Sequence, residues 1–147
     1  MFKLLKLCVL LLLFSSCQKD DDETMLCSTG PVTLELLIIE ESTGENLIAE
    51  GVYTRNQISI SDQDEKAVDF QLNEQGQIGL LLGWEEKSDI FSVRMGEEIE
   101  FNISFSLEER SSKNCTNTFL KELSISDFPY ERSEETGIIT VLVERGE

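Results

Sequence analysis

Glu98-Ile99-Glu100-Phe101-Asn102-Ile103-Ser104-Phe105-Ser106-Leu107 alternates polar and apolar residues from end to end. A two-residue repeat puts Ile99, Phe101, Ile103, Phe105 and Leu107 on one face and Glu98, Glu100, Asn102, Ser104 and Ser106 on the other. Wound as a helix, the same residues would leave no apolar stripe to bury. The stretch is therefore a strand with one face in a core and the other in water.

The same period extends in both directions. Towards the carboxyl end, Phe119, Leu123 and Ile125 carry the next strand, with Lys121 on what should be the inward face. A bulge or an edge position would accommodate that charge. Pro129 marks a loop, and Gly137 to Glu144 is a last strand rich in β-branched residues. Towards the amino end, Phe91 and Val93 form a strand after a polar loop at Glu85 to Ser88. Before it, Val68, Phe70 and Leu72 and then Ile78, Leu80 and Leu82 alternate on either side of Asn73-Glu74-Gln75-Gly76, which is the pattern of a hairpin. Ile58 and Ile60 carry a shorter strand. Val32, Leu34, Leu36 and Ile38 share one face of the first, while Leu37 and Ile39 on its other face point to cover on both sides. Glu41-Ser42-Thr43-Gly44-Glu45-Asn46 has the composition of a turn. No stretch carries a helical stripe. The expected fold is all-β, an antiparallel β-sandwich of Ig-like or transthyretin-like type with seven to eight strands, over residues 27–147.

Two of these passages resemble a known family. Ile39-Glu40-Glu41-Ser42-Thr43-Gly44-Glu45-Asn46-Leu47 resembles the strand–turn opening of carboxypeptidase-regulatory-like (transthyretin-like) domains. Leu72-Asn73-Glu74-Gln75-Gly76-Gln77-Ile78 is similar to their second hairpin. Small flavobacterial lipoproteins share the Thr43-to-Leu47 motif, then a tyrosine like Tyr53 and a strand like Ile58 to Ile60. The shared motifs are turn motifs, so the resemblance implies a sandwich and no catalytic residue. Ala49 to Lys66 is longer than the transthyretin-like pattern expects.

Ahead of the sandwich the chain changes character. Lys3 and Lys6 precede an unbroken apolar run from Leu7 to Phe14, which has the length of a signal peptide and falls short of the ~20 residues of a bilayer-spanning helix. Phe14-Ser15-Ser16-Cys17 resembles a lipobox, although Leu is usual where Phe14 stands. The resemblance implies cleavage before Cys17 and acylation of its thiol. Gln18-Lys19-Asp20-Asp21-Asp22 then resembles the export tag of surface lipoproteins in the Bacteroidota, with Lys19, Asp20 and Asp21 as the signal. The plainer alternative is a solvated tether. The expected organisation is a signal peptide over residues 1–16, a lipidated acidic tether over 17–26 and the sandwich beyond. The expected location is the outer membrane, facing outward.

Residues 1–16 carry two of the 12 basic residues and none of the 29 acidic ones, so the mature chain keeps ten against 29, a formal charge of −19. Such a surface repels nucleic acid and anionic head groups, and membrane attachment falls to the covalent lipid. The chain has no histidine, which removes the Ser-His and Cys-His nucleophile pairs and the commonest general base. Neither a cofactor nor a metal is expected. Of the four cysteines, Cys8 leaves with the signal peptide and Cys17 takes the lipid. Cys27 and Cys115 remain, and in an exported domain they are expected to bond to each other. Closing that loop contributes at most about 4–5 kcal/mol in the chain-entropy model.

Three features carry candidate chemistry. Asp62, Asp64 and Glu65 cluster oxygens in one turn, short of the six to eight a calcium ion wants and without the glycine of a calcium loop. Trp84, in Gly83-Trp84-Glu85-Glu86, either stacks on a sugar face beside carboxylates or closes one end of the core. Tyr53 and Tyr130 face the same choice. Carboxylate pairs of the kind that hydrolyse glycosides occur throughout so acidic a chain and discriminate nothing. The expectation is a binding module without enzymatic activity, its partner a glycan or a protein. The alternatives are a structural accessory subunit of an outer-membrane assembly and a carboxylate-dependent glycoside hydrolase.

Overall fold

A computed structural model of the chain describes residues 30–112 and 115–145. The expected signal peptide, Cys17, the tag residues Lys19, Asp20 and Asp21, and Cys27 lie outside the described residues. The described residues form a β-sandwich of nine strands. In chain order they are β1 (Val32–Glu40), β2 (Ile58–Ser61), β3 (Phe70–Leu72), β4 (Gln77–Gly83), β5 (Lys87–Met95), β6 (Ile99–Ser112), β7 (Cys115–Ile125), β8 (Tyr130–Arg132) and β9 (Ile139–Val143). A 3-10 turn, Arg55–Gln57, precedes β2.

One sheet has the order β3-β4-β1-β9-β8 and the other β2-β5-β6-β7. Alternation sends every second residue of each into the space between them. Ile99, Phe101, Ile103, Phe105 and Leu107 of β6 are all buried, as are Leu34, Leu36 and Ile38 of β1 and Ile139, Val141 and Val143 of β9. The ladders align these residues into rows. Leu36 lies between Ile78 of β4 and Ile139 of β9, so three branched side chains pack side by side. Phe91 meets Phe105 edge to face at 5.0 Å, and Phe101 meets Phe128 at 6.0 Å, the favoured geometry for ring quadrupoles.

The hairpin over residues 73–76 forms as its chemistry requires. Asn73 Oδ1 accepts from the backbone N–H groups of Gln75 and Gln77 at 3.0 and 2.9 Å. Gly76 has φ +70°, and a Cβ there would lie 2.6 Å from the Ala49 nitrogen, so only glycine fits.

Several expectations need correction. The pairing is not wholly antiparallel, because β1 and β9 run parallel, with Leu36 opposite Ile139 and Glu40 opposite Val143. Strand β5 starts at Lys87, inside the expected polar loop, and an extra short strand, β8, follows directly on Pro129. Leu37 and Ile39 are half-buried on the outer face of β1, where no further strand among the described residues covers them.

The largest correction concerns β7. Ser106 of β6 pairs with Glu122, but Leu107 pairs with Leu120, so Lys121 is the extra residue of a bulge. The bulge reverses the alternation on its amino-terminal side. Leu120 turns inward against the core, and Phe119, expected inside, turns out and is 46 % exposed. Strand β7 is also an edge of its sheet. Lys121 thus takes both accommodations open to it, and a bulged lysine discourages another strand from pairing there.

Candidate functional site

The expected site residues are scattered across the molecule. Tyr53 is in the core at 6 % exposure and takes no part in a surface site. Its ring packs under Gly96, whose φ of +60° and 2.9 Å approach to the Tyr53 ring leave no room for a side chain. Its hydroxyl donates to Glu98 Oε2 at 3.3 Å. Burial first, then the Glu98 charge, raises its pKa above the ordinary phenol value, so it stays a neutral donor. Tyr130, in β8, is half-exposed, and its hydroxyl donates to the Leu123 carbonyl of β7 at 3.0 Å. That bond joins the two sheets at their edges.

Tyr53 belongs to a polar closure of one end of the sandwich. There Glu40, 6 % exposed, accepts Arg145 Nε on Oε1 and Arg145 Nη2 on Oε2, each at 2.8 Å, and Thr43 Oγ1 donates to Oε2 at 3.0 Å. The fork of the guanidinium matches the carboxylate, which makes this the strongest class of ion pair. The Arg145 hydrogen bonds, opposed by burial and helped by Thr43, hold the Glu40 carboxyl below its ordinary value. The arrangement fixes the last described residue to the end of β1.

The acidic turn is likewise occupied with itself. Asp62 Oδ1 accepts from the N–H groups of Asp64 and Lys66, both at 2.9 Å, and Asp64 pairs with Lys66 Nζ at 3.0 Å. Among the described residues no group of His, Cys, Asp or Glu is placed to hold a metal ion.

At the opposite end Trp84 is 58 % exposed and so does not close the core. Lys87 does that in its place. Its ammonium lies 5.5 Å from the Phe105 ring centroid and 5.9 Å from that of Phe91, and it pairs with Asp89 at 3.4 Å. The lysine stem covers the rings while its charge reaches water. The Trp84 carbonyl accepts Thr118 Oγ1 at 2.6 Å. Here β6 and β7 run on beyond β5 as a two-stranded hairpin carrying Phe119, and the Arg110 guanidinium stands 5.7 Å from that ring. Cys115 opens β7 and is disulfide-bonded.

Open grooves cross the outer faces of both sheets. One is a groove of about 510 Å³ on the outer face of β5, β6 and β7, floored by Ser88, Ile90, Ser104, Ser106, Glu122 and Ser124. The other, about 490 Å³, crosses the outer face of β3, β4 and β1 beside Phe70 and the half-exposed Leu81. Sequence reasoning missed Phe119 and the first groove. The signal for both was present: a lysine at an inward position, and serine at successive outward positions of β6. No family model matches the chain, and no curated protein or solved structure matches it.

Proposed function

We propose that the chain is a lipid-anchored binding module displayed on the outer face of a bacterial outer membrane. The observation that carries this is the order of chemistry in residues 1–22: positive start, short apolar run, Ser15-Ser16-Cys17, then Lys19, Asp20 and Asp21. Cys17 takes the lipid, and Gln18 onward is the tether. Ten extended residues reach about 30–35 Å, enough to lift a domain clear of the head groups. Cys27 pairs with Cys115, tying the start of the domain to the β6–β7 hairpin. The open grooves and exposed rings are in keeping with a binding role, since they present contact surface.

A second reading, a structural subunit of an outer-membrane assembly, has one observation in its favour. Leu81 is 52 % exposed on the outer face of the five-stranded sheet, and Leu37, Ile39 and Leu142 lie half-buried on the same face.

The test is made in cells. Cys17→Ala should leave an uncleaved precursor that takes up no labelled fatty acid, and acylation of that variant would end the proposal. Replacing Lys19, Asp20 and Asp21 by Ala should keep the lipid but protect the domain from protease added to whole cells. Unchanged shaving would reduce the tag to a tether.

A further inference from the structure

Two connections lead from the sandwich to the amino-terminal segment, and both leave from the same end. The chain enters at Val32, whose partner Gly83 closes β4, and the Trp84 carbonyl that follows rests on Thr118 of the β6–β7 ribbon. At the tip of that ribbon Ser112 pairs with Cys115, which is disulfide-bonded. The other cysteines of the chain, Cys8, Cys17 and Cys27, all precede Val32, so the bond ties the ribbon tip back to the amino-terminal segment. The polar closure of Glu40, Arg145 and Thr43 lies at the opposite end, beside Tyr53 and Glu98.

Strand β6 runs the whole way between these ends. It begins at Ile99, next to Glu98, and ends at Ser112, and its 14 residues cover about 45 Å at the rise of a strand. Strand β1 is shorter, nine residues or about 30 Å. Ten residues separate Cys17 from Cys27, and fifteen separate Cys17 from Val32. Fully extended, these stretches reach about 35 Å and about 50 Å. A disulfide adds about 6 Å between its Cα atoms. A relaxed tether of the shorter length spans only about 17 Å.

We propose that the disulfide of Cys115 sets the direction in which the domain stands on its membrane, which rests on reading Cys17 as the acylated residue and Cys27 as the bonded partner. With Glu40 and Tyr53 set against the head groups, the ribbon tip would stand about 45 Å above them. Tether and disulfide together span only ~40 Å at full stretch, so that orientation is out of reach. Without the bond it is within reach, because β1 then begins about 30 Å up and the fifteen residues extend about 50 Å. The bond therefore forbids one of the two upright orientations. The ribbon, with Trp84 and Phe119, is held to the lipid side. The Glu40–Arg145 end, with the turn at residues 41–46, is held outward and is the surface that a partner meets first.

The experiment uses the full acylated chain in phosphatidylcholine vesicles that carry an acceptor dye on their head groups. A donor dye is introduced through an unnatural amino acid at Ser112, by the ribbon tip, or at Glu97, next to Glu98, both of them exposed. Energy transfer from Ser112 should exceed transfer from Glu97 about twofold or more, given heights on the order of 17 and 60 Å. When Cys27→Ser and Cys115→Ser are combined, the two sites should converge. Should that variant fail to fold, about ten Gly and Ser residues inserted after Asp22, with the disulfide intact, should bring the same convergence, because they double the reach of the tether. Equal transfer from the two sites in the unaltered chain overturns the inference, as does a difference that neither variant diminishes. A chain that carries no acyl group and stays off the vesicles ends the anchored reading and this inference together. A chain that binds them with equal transfer from both sites ends this inference alone.

Discussion

At the end of the sandwich where β1 and β9 finish, Tyr53 and Glu40 are buried and their side chains are hydrogen-bonded, Tyr53 to Glu98 and Glu40 to Arg145 and Thr43. At the end where β1 begins and β4 finishes, Trp84 and Phe119 stand in solvent, and a lysine lies over the core rings. The same residue class thus closes the molecule at one end and is displayed at the other. What differs is the cover available. A tyrosine can seal an end because its hydroxyl finds Glu98, whereas the Lys87 stem covers Phe91 and Phe105 and frees Trp84 from that task.

The contrast breaks most visibly through Tyr53. Tyr53→Ala should cost about 3–5 kcal/mol in denaturant unfolding, the range for emptying a buried aromatic site. A loss no greater than that of an exposed aromatic would show that this end is not sealed by Tyr53.

A smaller loss is expected from Arg145→Ala, and its signature is its pH dependence. Glu40 has its pKa lowered in the folded chain, so the pair's contribution is complete above the ordinary value near 4.5 and disappears as pH falls through the lowered one. The difference in melting temperature between wild type and Arg145→Ala should be largest at neutral pH and shrink on acidification. A difference that stays constant down to pH 3 would mean that Glu40 and Arg145 are not coupled.

Lys87→Ala should cost about 1 kcal/mol through lost cover and cation–ring attraction, and Lys87→Met should restore the part that comes from the stem. If Met restores nothing, the lysine acts through its charge alone. Smallest of all, Trp84→Ala should shift stability by less than about 0.5 kcal/mol, as for a surface site. A loss of several kcal/mol there would return Trp84 to the core and cancel the comparison.

Much of this was legible in the residues. Strand β6 and the rows of Leu34, Leu36 and Ile38 or Ile78, Leu80 and Leu82 follow from period-2 alternation, because on a pleated strand neighbouring side chains have no other choice of face. The Asn73–Gly76 hairpin was readable for the same local reason. Even the bulge left a trace, in a lysine where the period demanded an apolar residue. The site was far less legible. Phe119 could be placed on the wrong face by one residue of slip, since a single insertion in a ladder exchanges the two faces for everything beyond it.

Local chemistry, then, determined the strands, most of their inward residues, the turns and the acid-rich, histidine-free composition. These depend on each residue and its near neighbours, and a sequence records those directly. The tertiary structure alone decided the parallel union of β1 with β9, the clasp between Glu40 and Arg145, the burial of Tyr53 and the exposure of Trp84. Each of these depends on groups far apart in the chain that only the packing of two sheets brings together. No repeat along the chain can encode which end of a sandwich another side chain has already covered.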